Sequence, residues 1–332
     1  AYSAGYETWA ELSAREPDSV HAKGWHPSAV YGPVAAAAAV AALRGFDGER
    51  ALHALSLAAS MSGGLGAQFG TGAKPWQLAR AAASGVQAAD LAVAGIRGAS
   101  DVLEHPLGFL MALSPNRRAR TSGAPELGRH MARNGLNIKR YPVCYAMHRV
   151  LDAIVGLTHD AQIEPAAVAS IDVEIGEAQA AMLRHRRSET VAEAKFSLEF
   201  GIASLILRGA LGLPELEPSF IRSDEVRSLG SRVRKSTLAG RHEIEPSLAP
   251  ADRVTVSLVD GRTLASGWIE LPLGHARNPA PEEMLAAKVR DCLAAGPQPH
   301  RSTDFARTLN TIDGMASTSM LVLPTDGAAV AR

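Results

Sequence analysis

Three short stretches of this chain carry side chains whose types and spacing could do chemistry. In Gly24-Trp25-His26-Pro27-Ser28 an imidazole stands where a proline opens a helix, so amides at that helix start could hold a carboxylate beside His26 and Ser28. Imidazole titrates near neutrality and can take or give a proton there; its plainer role is to cap the helix. Lys74 is the one formal charge between Arg50 and Arg80. A lysine in such surroundings binds a carboxylate or releases its proton more readily than usual; its plainer role is a solvated loop lysine. The third stretch runs from Lys139-Arg140-Tyr141-Pro142-Val143-Cys144 through His148 to Asp152. If Pro142 starts a helix, Cys144, His148 and Asp152 share one face at i, i+4 and i+8, making His148 and Asp152 an oriented acid–base pair with Lys139 just ahead. A core-facing helix with one satisfied histidine and an ion pair fits the same spacing. Cys144 reads more simply as a small buried residue than as a nucleophile. Arg184-His185-Arg186-Arg187 is a compact basic cluster that could grip a polycarboxylate through two-pronged guanidinium contacts; a solvated charged loop is the alternative.

Other chemistries lack their motifs. Ser62–Lys74 has the glycines of a phosphate loop, but Lys74 follows Ala73 and precedes Pro75, which breaks the pattern. Gly64, Gly66 and Gly70 do not form a dinucleotide fingerprint, and no strand precedes them. There is no His-Glu-x-x-His and no intact Gly-x-Ser-x-Gly. Cys144 and Cys292 alone cannot build a disulfide scaffold, a four-thiolate zinc site or an iron–sulfur cluster, and they suit a reduced, cytoplasmic setting. The balance of 34 Lys+Arg against 34 Asp+Glu in 332 residues argues against a nucleic-acid partner. The uncharged stretches Pro27–Leu43 and Ala51–Ala73 are rich in alanine and glycine rather than in Leu, Ile, Val and Phe, so no membrane span is expected.

The elements that must position these residues follow from pattern and punctuation. The length suggests about two domains, and 46% apolar residues are ample for buried cores. Residues 1–115 read as glycine-punctuated helices. Tyr2–Ser13 looks like the continuation of an earlier helix, since neither an initiator Met nor a signal-peptide pattern precedes it. Ser28–Leu43 is opened by Pro27 and followed by Gly45; Glu49–Met61 and Pro75–Ile96 flank the glycine-rich connector Ser62–Gly72. Pro115–Asn137, with Arg117, Arg118, Arg120 and Arg133, reads as a linker. Val168–Ile175 alternates as a strand, and Arg253–Leu258, Asp260-Gly261 and Arg262–Ile269 form a hairpin. Ala194–Leu211, Ser223–Ser236 and Pro281–Leu293 read as helices, the last with Glu282 and Glu283 in its first turn and Lys288 and Arg290 later. The expected fold class is multi-domain α and α+β. An all-helical domain spans 1–135, a smaller α+β lid with antiparallel strands spans 136–271, and C-terminal helices over 272–332 return to the helical domain. A ligand cleft between the parts is the default expectation.

Gly24–Ser28, with Gly32 and the alanine run, resembles the Gly-aromatic-His-Pro segment of the MmgE/PrpD family, which includes 2-methylcitrate dehydratase, cis-aconitate decarboxylase and an iminodisuccinate epimerase. Lys139 to Cys144 with His148 and Asp152 is similar to that family's Lys-x-Tyr-Pro-x-Cys-x-x-x-His-x-x-x-Asp segment. Ala194-Lys195-Phe196-Ser197-Leu198, the Asp260-Gly261-Arg262 hairpin and Asn278-Pro279 before an acidic helix also look like family features. The resemblance implies a helical domain with an α+β lid, a homodimer through the helical body, and work without metal or organic cofactor. It places His26, Lys74 and Lys139 in the cleft as catalytic residues, Cys144 at a position where some members have another polar group, and His148 as a support. Ser28, His185 and Arg186 complete the expected substrate-binding set from the residue reading. Two departures stand out. The family has further helices before this chain's first residue, which contribute an Asp and a His to the cleft, so a fragment or processed product is expected. Phe200 also stands where a Tyr is common, which implies different handling of the substrate.

The leading expectation is a cofactor-independent, dehydratase-type lyase acting on a small di- or tricarboxylic acid. Lys74 and Lys139 would hold carboxylates and developing charge while His26 moves a proton. Alternatives are an epimerase of an amino- or imino-dicarboxylate, or a non-catalytic subunit whose exposed tail Gly296–Thr303 serves assembly.

Overall fold

Alanine density lets four helices pack closely in the first part of the chain: Tyr2–Arg15, Gly32–Leu43, Gly48–Ala59 and Ala73–Val93. Val34, Ala37, Ala58 and Ala88 are fully buried between them. The computed structural model describes residues 1–246 and 248–296. The expected helices beyond Gly296, and the tail Gly296–Thr303 apart from its first residue, lie outside the described residues.

Pro27 opens a helix as expected, but that helix is only Pro27–Val30, and a second one starts at Gly32. The single helix expected over Ser28–Leu43 is broken because Pro33 has no N–H to give the Ala29 carbonyl and its ring crowds that group. The Ala29 carbonyl instead accepts the Gly63 amide at 3.1 Å. The connector that looked like a damaged phosphate loop is thus a strap on the His26 segment. Gly64 O takes the His26 N–H at 2.9 Å, and Gly66 N–H donates to Gly24 O at 2.9 Å. Gly64 is required here, since a Cβ would lie 2.5 Å from the Ala29 Cβ.

The linker is tied to the first helix. Glu7 accepts the amides of Gly128, His130 and Met131 at 2.8 to 3.0 Å, and a short helix His130–Asn134 forms there.

The second part is built on a four-stranded sheet of order β2-β1-β3-β4. The strands are β1 Val168–Gly176, β2 Val233–Leu238, β3 Arg253–Leu258 and β4 Thr263–Ala265. The hairpin β3–β4 turns at Asp260-Gly261 as its composition predicts, with Gly261 at φ +88° and Asp260 Oδ1 accepting the Arg262 amide. The sheet is mixed, however, not antiparallel throughout: β2 runs parallel to β1, with Ile171 opposite Val233. A parallel pair needs a long crossover, and residues 177–232 supply it. That pairing also corrects the helix expected over Ser223–Ser236, which stops at Ser231 so that Val233 can enter the sheet.

Pro142 does not start a helix. The chain bends through residues 140–143, turns once at Tyr145–Met147, and becomes helical over His148–Ala161. The cause is tertiary, because the Cys144 amide donates to the Lys195 carbonyl at 2.8 Å. In the first turn of this helix Arg149, fully buried, is gripped by Asp252 at 2.7 and 2.8 Å, by Gln179 and by the carbonyls of Ala249 and Glu270. The expected Ala194–Leu211 helix is a short turn, Val191–Ala194, followed by Leu198–Arg208, which Ser197 caps by accepting the Phe200 amide. The helix Glu282–Ala294 matches its acidic-start pattern, and Lys288 donates to the Lys139 carbonyl at 2.6 Å.

Candidate active site

A cleft of about 600 Å3 opens where the helical part faces the sheet-containing part. His21, His26, Ser28, Phe69 and Lys74 line one wall, and Lys139, Cys144, Lys195 and Phe196 line the other.

His26 is almost completely buried, and its ring Nδ1 lies 2.8 Å from Gln77 Oε1. The Gln77 amide nitrogen donates to the Leu65 carbonyl at 3.3 Å, which leaves Oε1 as the acceptor and Nδ1–H as the donor. The Nε2 lone pair is therefore the free end of the imidazole. Burial lowers the His26 pKa; the Gln77 hydrogen bond opposes this and the Lys74 charge adds to it. The ring is neutral at physiological pH and chemically a base. Phe69 meets it edge-on with centroids 5.1 Å apart, and Phe196 from the opposite wall stacks on Phe69 at 5.5 Å. His21 packs on the same phenyl ring at 5.6 Å, and burial lowers its pKa, with His26 and Lys74 adding.

Lys74 stands in the first turn of Ala73–Val93, with its ammonium 6.0 Å from the Phe196 ring centre. Lys139 donates to the Val143 carbonyl at 3.0 Å. Partial withdrawal from solvent lowers its pKa; nearby Cys144 opposes this, while Lys74, Lys288 and Lys195 add to it. The Lys139 proton is therefore easier to remove than that of a free lysine. Burial raises the Cys144 pKa, so its thiol stays protonated and is no nucleophile. Among the described residues, no Asp or Glu lines the cleft and none of the three lysines is in an ion pair.

Of the residues singled out by sequence, His26, Ser28, Lys74, Lys139 and Cys144 meet in this cleft. The amides of Ala29 and Val30 are both spent on the His26 carbonyl, so the short helix offers no row of free donors. His148 lies elsewhere, fully buried under Tyr141 and Tyr145 with ring centroids 5.2 and 5.4 Å away. Burial first, then the Lys139 charge, pushes its pKa down to about 3. Asp152 is not its partner but receives Arg140, the Tyr141 hydroxyl and the Leu273 amide. The expected acid–base pair is therefore absent, because the helix begins at His148 and the tyrosine corner claims Asp152.

The basic cluster also disperses. Arg184 donates to the carbonyls of Ala67 and Phe69, and His185 packs against Gly70 outside the cleft. Arg186 pairs with Glu199 at 3.5 Å and Arg187 with Glu189 at 3.2 Å, beside a separate cavity of about 410 Å3. Phe200 is buried at that second cavity against Phe220, so the exchange of Tyr for Phe lies away from the cleft.

Sequence reasoning missed Gln77, His21 and Lys195. Gln77 had a signal, since it follows Lys74 by three residues on one helix face. Lys195 and His21 reach the cleft only through tertiary packing. Among the described residues, no group of His, Cys, Asp and Glu is clustered to hold a metal ion, and no helix is long and apolar enough to cross a membrane.

The MmgE/PrpD N-terminal domain model matches residues 1–122, and the MmgE/PrpD C-terminal domain model matches residues 141–311. The chain is 27% identical over 305 residues to human cis-aconitate decarboxylase, an overlap covering 87% of this chain and 60% of that protein. It is 26% identical over 281 residues to the mouse cis-aconitate decarboxylase, covering 81% and 55%. A cis-aconitate decarboxylase-like protein oryM of Aspergillus oryzae is 26% identical over 277 residues, covering 78% and 57%. The chain thus spans between 55% and 60% of the length of these curated relatives.

Proposed function

The chain belongs to the MmgE/PrpD family, and from that premise we propose that it is a lyase acting on a small polycarboxylic acid, with carbon dioxide as the leaving group. The observation that carries this reading is the cleft itself: a neutral imidazole with a free Nε2 faces three ammonium groups and no carboxylate. Lys74 and Lys139 take substrate carboxylates. In the reaction the bond from carbon to a carboxylate breaks, and its electron pair passes into a system delocalised onto a neighbouring carboxylate. Ammonium groups stabilise that enolate-like charge in a site partly shielded from water. The carbon then takes up one proton, which His26 Nε2 relays from solvent, so each turnover consumes one proton and releases one CO2. The names of the relatives support decarboxylation over the dehydration expected from sequence. The same groups would serve dehydration only if an ammonium protonated the leaving hydroxide.

Proton NMR in D2O with cis-aconitate, 2-methylcitrate, citrate and iminodisuccinate tests the reading. A new vinylic product with loss of CO2 is the expected result. Water loss alone would make the protein a dehydratase, and deuterium exchange on an unchanged skeleton an epimerase. No reaction with any of the four acids would overturn the lyase reading.

A further inference from the structure

We infer that Lys195 is the seat of a third carboxylate and sets the cleft's preference for tricarboxylates over dicarboxylates. This rests on the reading of the cleft as a carboxylate site. Lys195 closes a turn whose geometry is locked from both ends. Thr190 caps the Glu193 amide at 3.2 Å, and the Glu193 carboxylate reaches back to the amides of Glu189 and Thr190 at 2.7 and 3.2 Å. The nearest acid in sequence is thereby spent on backbone and does not neutralise Lys195. At the other end the Lys195 carbonyl receives the Cys144 amide at 2.8 Å, which pins the turn to the segment carrying Lys139. The next residue, Phe196, stacks on Phe69 and brings the turn against the His26 wall. The backbone that carries Lys195 is thus fixed at the cleft wall.

Lysines with structural tasks elsewhere in the chain have partners. Lys23 pairs with Glu16 at 3.0 Å, and Lys235 pairs with Glu199 at 3.2 Å. Lys74, Lys139 and Lys195 have no such partners among the described residues, and both other lysines act on Lys139 to favour its neutral form. Three like charges around one cleft are relieved when three negative charges arrive together. A dicarboxylate would leave one ammonium unmatched. A cleft of about 600 Å3 is large enough for a six-carbon tricarboxylate.

Isothermal titration with two saturated, unreactive acids tests this. Glutarate and tricarballylate share the same five-carbon diacid frame, and the latter adds one carboxylate at the middle carbon. Wild-type protein is expected to bind tricarballylate at least tenfold more tightly than glutarate. Lys195→Gln should lose that tenfold advantage while glutarate affinity changes less than twofold, which also shows that the variant is folded. Lys195→Arg should retain most of it. If Lys195→Gln keeps the preference, or weakens both acids equally, the assignment of Lys195 is overturned while the carboxylate cleft stands. If wild-type protein binds neither acid, both readings fall.

Discussion

Arg149 and Lys139 are ten residues apart in sequence, yet their surroundings are opposite. Arg149, in the first turn of the helix His148–Ala161, is sealed in the core, with two bonds to Asp252 and the rest of its donors on Gln179 and two carbonyls. Lys139 shares a cleft with Lys74 and Lys195, with no acid on the lining. The first region has every charge answered within the chain, as a buried charge must. The second holds charge unanswered, and such an arrangement is useful only when a ligand supplies the missing sign. Where the chain compensates its cations it builds structure, and where it does not it has left room for an anion.

The largest break in this contrast comes from Arg149→Met, which strands Asp252 in the core. Removing one partner of a buried pair costs roughly 3–5 kcal/mol, so urea unfolding should shift by that much while the KM of protein still folded stays near wild type. Lys139→Met and Lys74→Met should do the reverse. Each removes a charge-assisted contact worth about 1.5–3 kcal/mol, so steady-state kinetics should show KM for the acid rising roughly 10- to 100-fold, with stability within about 0.5 kcal/mol of wild type.

Gln77→Leu sharpens the comparison at His26. It removes the bond that fixes the tautomer and that raises the imidazole pKa against burial. The expected outcome is a fall in kcat of about tenfold with KM little changed. The ring must be charged at Nε2 before it delivers its proton and its pKa is already lowered, so activity should fall as pH rises through a limb that lies below 6.5. In Gln77→Leu that limb should move lower still. Lys139 must keep its proton as well and has a lowered pKa, so a second limb in the same direction lies below 10.5. Stability moves the other way: both groups are harder to charge when folded, so stability rises as pH climbs through each folded pKa toward its unfolded value. The smallest effect is expected from Arg186→Gln, less than twofold on KM, because Arg186 sits at the second cavity beside Glu199.

Much of the architecture was legible because its causes are local. Pro27 starting a helix, Asp260-Gly261 turning a hairpin and the alternation over Val168–Ile175 act within a few residues. Pro33 was a local signal too, and it is what splits the helix expected from Ser28. What could not be read depends on partners far along the chain. The pairing of Val233 with Ile171 makes the sheet mixed, and the Lys195 carbonyl keeps Cys144 out of a helix. The candidate site divides the same way. His26, Lys74 and Lys139 were marked by proline, isolation and motif, and they converge. His148, His185 and Arg186 were judged by residue type and spacing, and packing turns them elsewhere. Lys195 lies in the family-like segment 194–198, but that resemblance alone assigned it no place in the cleft that it lines.

The central claim is that His26 moves the proton in a cleft whose unanswered cations hold the acid. His26→Gln tests it most directly, with turnover of cis-aconitate followed by NMR in D2O and binding of tricarballylate followed by titration. The account predicts turnover reduced by roughly 10^2- to 10^4-fold, with tricarballylate affinity within about threefold of wild type because the lysines are intact. Turnover equal to wild type in a folded His26→Gln protein would contradict it.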